Sequence, residues 1–385
     1  MPPASEPAAS PPEPGVPLFD LARQHRPLRA ELLAALEAVV DSGQFIHGPA
    51  VARLEAALGA ALGARHVLGV SSGTDALLLG LMALGIGPGD EVVVPAFTFV
   101  ASANVVARLG ARPVFADVHP AELVLTPEEL ERRLSPRTRA VIPVHLFGLP
   151  CRVDELVAQC APRDIPVLED CAQATFARLG ARQVGSFGRL GAFSFFPTKN
   201  LGGFGDGGAL SVADGELLAR LRRLRDQGGR ARDDYTELGG NFRLDTLQAA
   251  VLEVKLRRAE AWQAERRAVA GRYAALFSQA GLGAPGDERL QLPPCPAGRE
   301  HAWNLYVVQA ARREELRAHL QTRGVGAGVY YSRPLHLQPC FAPGPGRLPA
   351  AERAAERVLA LPCYPGLTPP EQERVVAAVA EFARA

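Results

Sequence analysis

The hydrophobic positions of this chain change period several times, and each change marks an element. Residues 1–17 (MPPASEPAASPPEPGVP) carry no apolar period and are rich in Pro, Ala and Ser, so a disordered tail is expected there. From residue 28 to 40 apolar residues recur at helical spacing. Asp41-Ser42-Gly43 breaks that helix, and Phe45-Ile46-His47-Gly48-Pro49 leads into a second one ending near Leu62. A short apolar run over 67–70 predicts a strand, followed by the small-residue turn Ser71-Ser72-Gly73-Thr74-Asp75 and a helix over 76–84. A regular alternation then begins. Strands are predicted over 91–94, 113–118, 140–146 and 167–170, separated by helical stretches over 99–109, 127–134 and 153–160; Thr126-Pro127-Glu128-Glu129 reads as a capping box for the second of these. Strands alternating with helices imply parallel β-α-β units, hence an α/β sheet covered on both faces, whose ligands gather at the carboxyl ends of the strands.

Further strands over 192–196 and 208–212 complete the sheet. A basic helix over 217–226 and a long helical pattern over 244–278 follow. Glycine and proline over 281–298 mark a boundary. The pattern therefore divides into the tail (1–17), a large domain with an N-terminal helical arm (18–280) and a small α+β C-terminal domain (281–385), with strands over 302–308 and 328–331 and helices over 313–322, 350–359 and 370–382.

Composition narrows the function. Hydrophobic residues make up 48% of the 385, enough for a sizeable core, and the net charge is +1 with no strongly basic block, which gives no reason to propose nucleic acid or an anionic membrane as partner. The six cysteines are scattered without C-x-x-C or zinc-type spacing and read as reduced, in keeping with a cytoplasmic enzyme of small-molecule chemistry; no metal site is indicated. No apolar run is long enough to span a membrane, and the N-terminus does not read as a signal peptide.

One feature of the charge is uneven. Of 42 basic residues only Lys199 and Lys255 are lysines. Lys199 follows an apolar run and Pro197, on the lip of the turn Asn200-Leu201-Gly202-Gly203-Phe204-Gly205. Arginine stays protonated, whereas a desolvated lysine can lose its proton and attack a carbonyl, so Lys199 is a candidate covalent anchor for an aldehyde. Lys255, among charged residues on a long helical pattern, reads as a surface lysine, and the run Arg220, Arg222, Arg223, Arg225 as a solvated face. The turn at Gly73-Thr74 entering a helix is a phosphate seat, although a plain N-cap by Ser72 or Thr74 gives the same pattern. Asp170 ends a predicted strand, where an ionised carboxylate calls for a cationic partner; Gln173 stands three residues on, and Phe99 offers a flat face or a core side chain. Together these describe a flat aromatic aldehyde phosphate whose protonated ring nitrogen pairs with Asp170: pyridoxal 5′-phosphate.

The ordered motifs SSGTDAL, PAFTFVASAN, LEDCAQA, FSFFPTKNLGGFGDGG, NFRLDTLQAA and YYSRPLHLQP closely resemble the DegT/DnrJ/EryC1/StrS family of sugar aminotransferases, over about residues 16–384. The resemblance implies a fold-type I, aspartate-aminotransferase-like protein with a mostly parallel, seven-stranded type of sheet, working as a homodimer with shared sites. By the same resemblance Lys199 is the Schiff-base lysine, Asp170 the partner of the pyridine nitrogen, Gln173 the contact to ring hydroxyl or face, and Phe99 the stacked aromatic. Ser194 joins Gly73 and Thr74 at the phosphate. Asn241 reaches the neighbouring subunit's phosphate, and Arg243, Tyr331 and His336 lie on the substrate side. The implied reaction moves an amino group from glutamate to a keto group of a nucleotide-linked hexose, at C3 rather than C4. Many relatives carry His-Tyr-Pro where this chain has Tyr330-Tyr331-Ser332. The competing readings are an aminotransferase of cyclitols and a non-catalytic regulator that binds the cofactor or a sugar.

Overall fold

The computed structural model describes residues 15–341, 344 and 346–385. Seven strands form its centre: β1 (His66–Val70), β2 (Glu91–Pro95), β3 (Arg112–Ala116), β4 (Thr138–Val141), β5 (Leu168–Asp170), β6 (Leu190–Ser194) and β7 (Gly208–Val212). They pair in the orders β1-β7-β6-β5 and β3-β2-β4. Parallel bridges Val141–Val167 and Val144–Asp170 join the two groups, with the Asp170 N–H donating to the Pro143 carbonyl at 2.9 Å. Every residue of β2, β6 and β7 is buried, because helices cover both faces, and such strands read as continuous apolar runs rather than alternating ones. β2 is parallel to β3 and β4, and β5 is parallel to β6, whereas β7 runs antiparallel to both β1 and β6. An antiparallel neighbour needs no helical crossover, so the chain returns from β6 to β7 through a loop alone. That loop carries Lys199.

A second sheet, β8 (Leu290–Gln291), β9 (Tyr306–Ala310) and β10 (Val358–Leu361), is antiparallel in the order β8-β9-β10. Tyr306 and Leu361 share a core with Tyr273, Phe277, Leu320 and Val375 of the helices Ala259–Gln279, Arg313–Thr322 and Pro369–Arg384. Among the described residues no helix is long and apolar enough to cross a membrane.

Several expectations change. Residues 1–14 of the predicted tail lie outside the described residues, but Val16 is buried, bridges Val325 and exchanges hydrogen bonds with the backbone of Gly324 and Gly326. The 244–278 pattern is two helices, Thr246–Leu256 and Ala259–Gln279. The predicted helix over 350–359 gives way after Arg357 to β10, whose run Val-Leu-Ala-Leu is too short for periodicity to separate strand from helix. Residues 328–331 form no strand; Gly328 makes a single bridge to Ala360. In the arginine run, Arg225 is buried and donates to the Gly69 carbonyl (3.1 Å) and Glu55 (3.2 Å), while Arg220 and Arg223 hold Glu237 between them, so this is not a solvated face throughout. Lys255 is not on the surface: it is 1% exposed, its Nζ bonded to the Gly202 carbonyl. An amphipathic helix turns one face inward, and nothing in the local run of charges showed that Lys255 lay on that face.

Candidate active site

The carboxyl ends of β5 and β6 open into a cavity of about 490 Å³ whose walls include Gly73, Thr74, Phe99, Asp170, Gln173, Ser194, Lys199 and Tyr331. Eight of the residues singled out in the sequence thus meet in one place. Gly73 opens the helix Gly73–Ala83, capped by the Ser72 hydroxyl, which accepts the Asp75 N–H at 3.0 Å. The first N–H groups of a helix have no partner within it, and the positive end of its dipole lies there. A Cβ on Gly73 would stand 2.7 Å from that of Ser194, so only glycine lets the helix start this close to the end of β6.

Residues 168–170 show how the strand sorts two adjacent carboxylates. Successive side chains of a strand point to opposite faces. Glu169 points away from the cavity and is saturated: it accepts backbone N–H groups of Gly185, Phe187 and Gly188, each at 2.7 Å, and faces His145 Nε2 at 3.1 Å. Asp170 points into the cavity, holding only the Ser102 hydroxyl (2.9 Å) and the Ala172 N–H (3.1 Å). Burial pushes the Asp170 carboxyl above the usual carboxylate range, against the opposing pull of these two hydrogen bonds and of Lys199. A cation placed against it would draw it back down.

Lys199 stands after Pro197, its N–H closing a turn to the Phe196 carbonyl at 2.9 Å. Burial pushes its ammonium down to about 8, against the attraction of Asp170. Among the described residues its Nζ makes no hydrogen bond. Gln173 accepts the Phe147 N–H at 2.7 Å and donates to the Tyr331 hydroxyl at 3.2 Å, which ties a residue late in the sequence to the end of β5. The Phe99 ring is 52% exposed and tilted against Tyr331, with centroids 5.9 Å apart. Its face is available to a flat ligand, and the core alternative does not hold.

Three expected residues are not in the cavity. Asn241 and Arg243 lie outside it: Asn241 bridges Asp226, and Arg243 bridges Val70 and faces the Asp226 carboxylate at 3.5 Å. His336 is a correction. Its ring is buried and turned to Glu352 at 3.3 Å, so it makes no wall of the cavity. The 3-10 turn Leu335–Leu337, set by Pro334, directs the ring toward the helix Pro349–Arg357 instead. Sequence reasoning missed Ser102, which fixes Asp170, and Phe19, Asp206, Asn304 and Tyr330, which line the cavity. Asp206 directly follows the glycine turn already singled out, within the motif FSFFPTKNLGGFGDGG. Phe19 had no local signal, since only the tertiary fold brings the N-terminal segment there.

A family model described as the DegT/DnrJ/EryC1/StrS aminotransferase family matches residues 27–380. The chain is 43% identical over 373 residues to the dTDP-3-amino-3,4,6-trideoxy-α-D-glucose transaminase of Streptomyces venezuelae, covering 96% of this chain and 97% of that one. It is 41% identical to a pleiotropic regulatory protein of Geobacillus stearothermophilus, covering 96% and 99%. The crystal structure of S. venezuelae DesV superposes with a TM-score of 0.92 at 42% identity, covering 97% of this chain and 99% of that one.

Proposed function

Because the chain belongs to the DegT/DnrJ/EryC1/StrS aminotransferase family, we propose that it transfers an amino group from glutamate to a C3 ketone of a nucleotide-linked hexose, through the cavity at the ends of β5 and β6. The observation that carries this reading is the meeting of three chemistries there: a lysine partly unprotonated near neutrality, a buried carboxylate left open toward the cavity, and a helix N-terminus. C3 rests on the S. venezuelae transaminase, whose product bears its amino group at that carbon.

The cofactor is pyridoxal 5′-phosphate. The donor set suits it: Gly73, Thr74 and Ser194 would hold the phosphate, Asp170 the ring nitrogen, Gln173 and Phe99 the ring, and Lys199 the aldehyde carbon. When bound, the cofactor supplies the electron sink that lets an amino group leave one carbon and later arrive at another. The protein's own contribution is to place charge and protons. Asp170, short of partners in a dry setting, keeps a facing N–H protonated. Lys199, whose ammonium burial lowers to about 8, would hold the cofactor's aldehyde and, when free, would serve as the base that moves the proton near neutrality. Tyr331, held by Gln173, and Tyr330 would face the sugar, the place first given to His336.

Among the described residues no arginine lines the cavity. An amino-acid donor and a nucleotide diphosphate are both anionic, so a cation must come from elsewhere. Asn241 and Arg243, outside the cavity of their own chain, would complete the site of a second copy in a homodimer. The resemblance to a regulatory protein keeps a second reading in play, binding without turnover. One experiment separates them: purified protein with pyridoxal phosphate, glutamate and a panel of nucleotide-linked 3-keto and 4-keto sugars, followed by mass spectrometry. Aminated 3-keto sugars are expected. Amination of 4-keto sugars alone would overturn the regiochemistry, and no amination of any panel member, with cofactor bound, would overturn the aminotransferase reading of the cavity.

A further inference from the structure

The chain's second lysine is buried for no purpose that the cavity explains. Lys255 sits on the helix Thr246–Leu256, its Nζ donating to the Gly202 carbonyl and standing 3.1 Å from His25 Nε2. The rings of Phe204 and Trp262 flank it, with centroids 5.6 and 6.0 Å away, and His25 packs edge-on against Phe204 at 5.0 Å. A cation can be buried without a carboxylate where a carbonyl and aromatic faces replace part of its hydration. Burial still pushes the ammonium down to about 8, and the same surroundings, with the Lys255 charge, push His25 down to about 4, leaving the imidazole free to accept.

What the ammonium holds is the loop between β6 and β7. Gly202 belongs to the turn that starts at Lys199 and ends at Asp206, two residues lining the cavity. The same helix reaches that turn a second time, through Gln248, whose Oε1 accepts the Phe204 N–H at 2.8 Å. Gln248 and Lys255 are seven residues apart, two helical turns on one face. The turn has no slack of its own. A Cβ on Gly202 would stand 2.2 Å from the Pro197 carbonyl oxygen, and the Gly203 N–H returns to the Phe195 carbonyl at 2.7 Å. In a chain that uses arginine almost everywhere, a compact ammonium with three rotatable donors is retained where a planar fork does not suit a space walled by three rings.

We infer that Lys255 is a positioning residue for Lys199: caged by His25, Phe204 and Trp262, its ammonium pins the Gly202 carbonyl and so fixes the turn that presents Lys199 and Asp206 to the cavity. This rests on the reading of Lys199 as the covalent anchor. The test uses the holoenzyme and the cofactor-free protein of Lys255→Met, which keeps the length and loses the donor. In the cofactor-free protein, hydrogen exchange at the Gly203 and Phe204 amides should quicken by roughly tenfold or more while the sheet amides stay unchanged. In the holoenzyme, borohydride should still fix the cofactor to the Lys199 peptide. The pH midpoint of the cofactor's visible band should move by about one unit. The rate of the glutamate half-reaction should fall roughly tenfold with its saturation constant changed by less than about twofold. Lys255→Gln, which keeps a donor, should recover part of the exchange protection, and it carries the same measurements if the Met variant does not fold. Exchange and pH midpoint both unchanged would overturn the inference. A borohydride label outside the Lys199 peptide would overturn the underlying reading of Lys199, and this inference with it.

Discussion

The two lysines are alike in composition, in burial-lowered basicity and in being the only ones of the chain, yet their surroundings differ in one respect. Both ammonium groups are pushed down to about 8 by burial. Lys255 is surrounded: a carbonyl, an imidazole and two aromatic faces take up what the ammonium offers. The Lys199 Nζ has no hydrogen bond among the described residues and faces a cavity with a carboxylate across it. The adjacent carboxylates repeat the contrast, for Glu169 is filled with donors on one side of β5 and Asp170 is left open on the other. A displaced pKa therefore does not by itself mark a reacting group, since structural burial displaces it too. The mark is an ionisable group whose bonding capacity the protein leaves unfilled next to space for a ligand.

The sharpest way to break the comparison is to exchange the roles. Lys199→Arg keeps the charge but cannot anchor an aldehyde, and turnover should fall by roughly a thousandfold or more, with loss of the cofactor's visible band. A borohydride-fixed cofactor recovered on the Lys255 peptide would invert the assignment. The carboxylate pair should split by phenotype. Asp170→Asn should slow turnover by about a hundredfold while the cofactor still binds and the melting temperature barely changes, because the side chain keeps its size and its Ser102 contact. Glu169→Gln should do the reverse, since three backbone donors lose a charged acceptor and one is left facing an amide nitrogen; a loss of about 3 kcal/mol in denaturant stability is expected, with the surviving protein still active. Equal effects of the two substitutions on both readouts would mean that the face of β5 does not decide the role.

These differences also show what the sequence made legible. The strand–helix alternation, the glycine turns and the position of Lys199 at a strand's carboxyl end were all readable, because each depends on residues close together in the chain. The two carboxylates stood side by side as Leu168-Glu169-Asp170, and only strand alternation and the partners on each face could assign them. Lys255 and Arg225 were misread for the same reason. A cation on an amphipathic helix is taken as solvated unless one knows which face turns inward, and the carbonyls that receive them, Gly202 and Gly69, are 53 and 156 residues away in sequence. His336 failed in the opposite sense, a polar residue within a motif whose ring the fold turns toward Glu352. Asn241 and Arg243 are a different case, because they are placed outside the cavity of a single chain.

That last pair yields a smaller effect. Lys199→Ala and Asn241→Ala proteins, each inactive, should regain activity when mixed and allowed to exchange subunits, because one site of a mixed dimer collects both defects and the other none. At equal amounts, half the dimers are mixed and each has one whole site, so recovery should approach about a quarter of the wild-type rate. No recovery after exchange is demonstrated by mass spectrometry would place Asn241 in the site of its own chain.

The smallest expected effect compares the lysines through stability alone. Each is lowered from 10.5 to about 8 in the folded protein. Between those values the unfolded chain holds a proton on each lysine that the folded chain has released, so the unfolded state binds more protons and stability rises with pH across the window; below about pH 8 both states are protonated and the contribution is flat. One fully displaced proton corresponds to a slope of about 1.4 kcal/mol per pH unit. In the cofactor-free protein, Lys255→Met should remove one proton's worth of this slope between pH 8 and 10, and Lys199→Met another, measured as the change of urea stability with pH against wild type. The two should part once pyridoxal phosphate is bound. As the proposed covalent anchor, Lys199 would exchange its amine titration for that of the imine, which the cofactor's visible band reports, while Lys255 keeps its own in its cage, so the Lys255 share of the slope between pH 8 and 10 should be the same with and without the cofactor. If it is the Lys255 share that disappears on cofactor binding, the open and the filled lysine have been assigned the wrong way round.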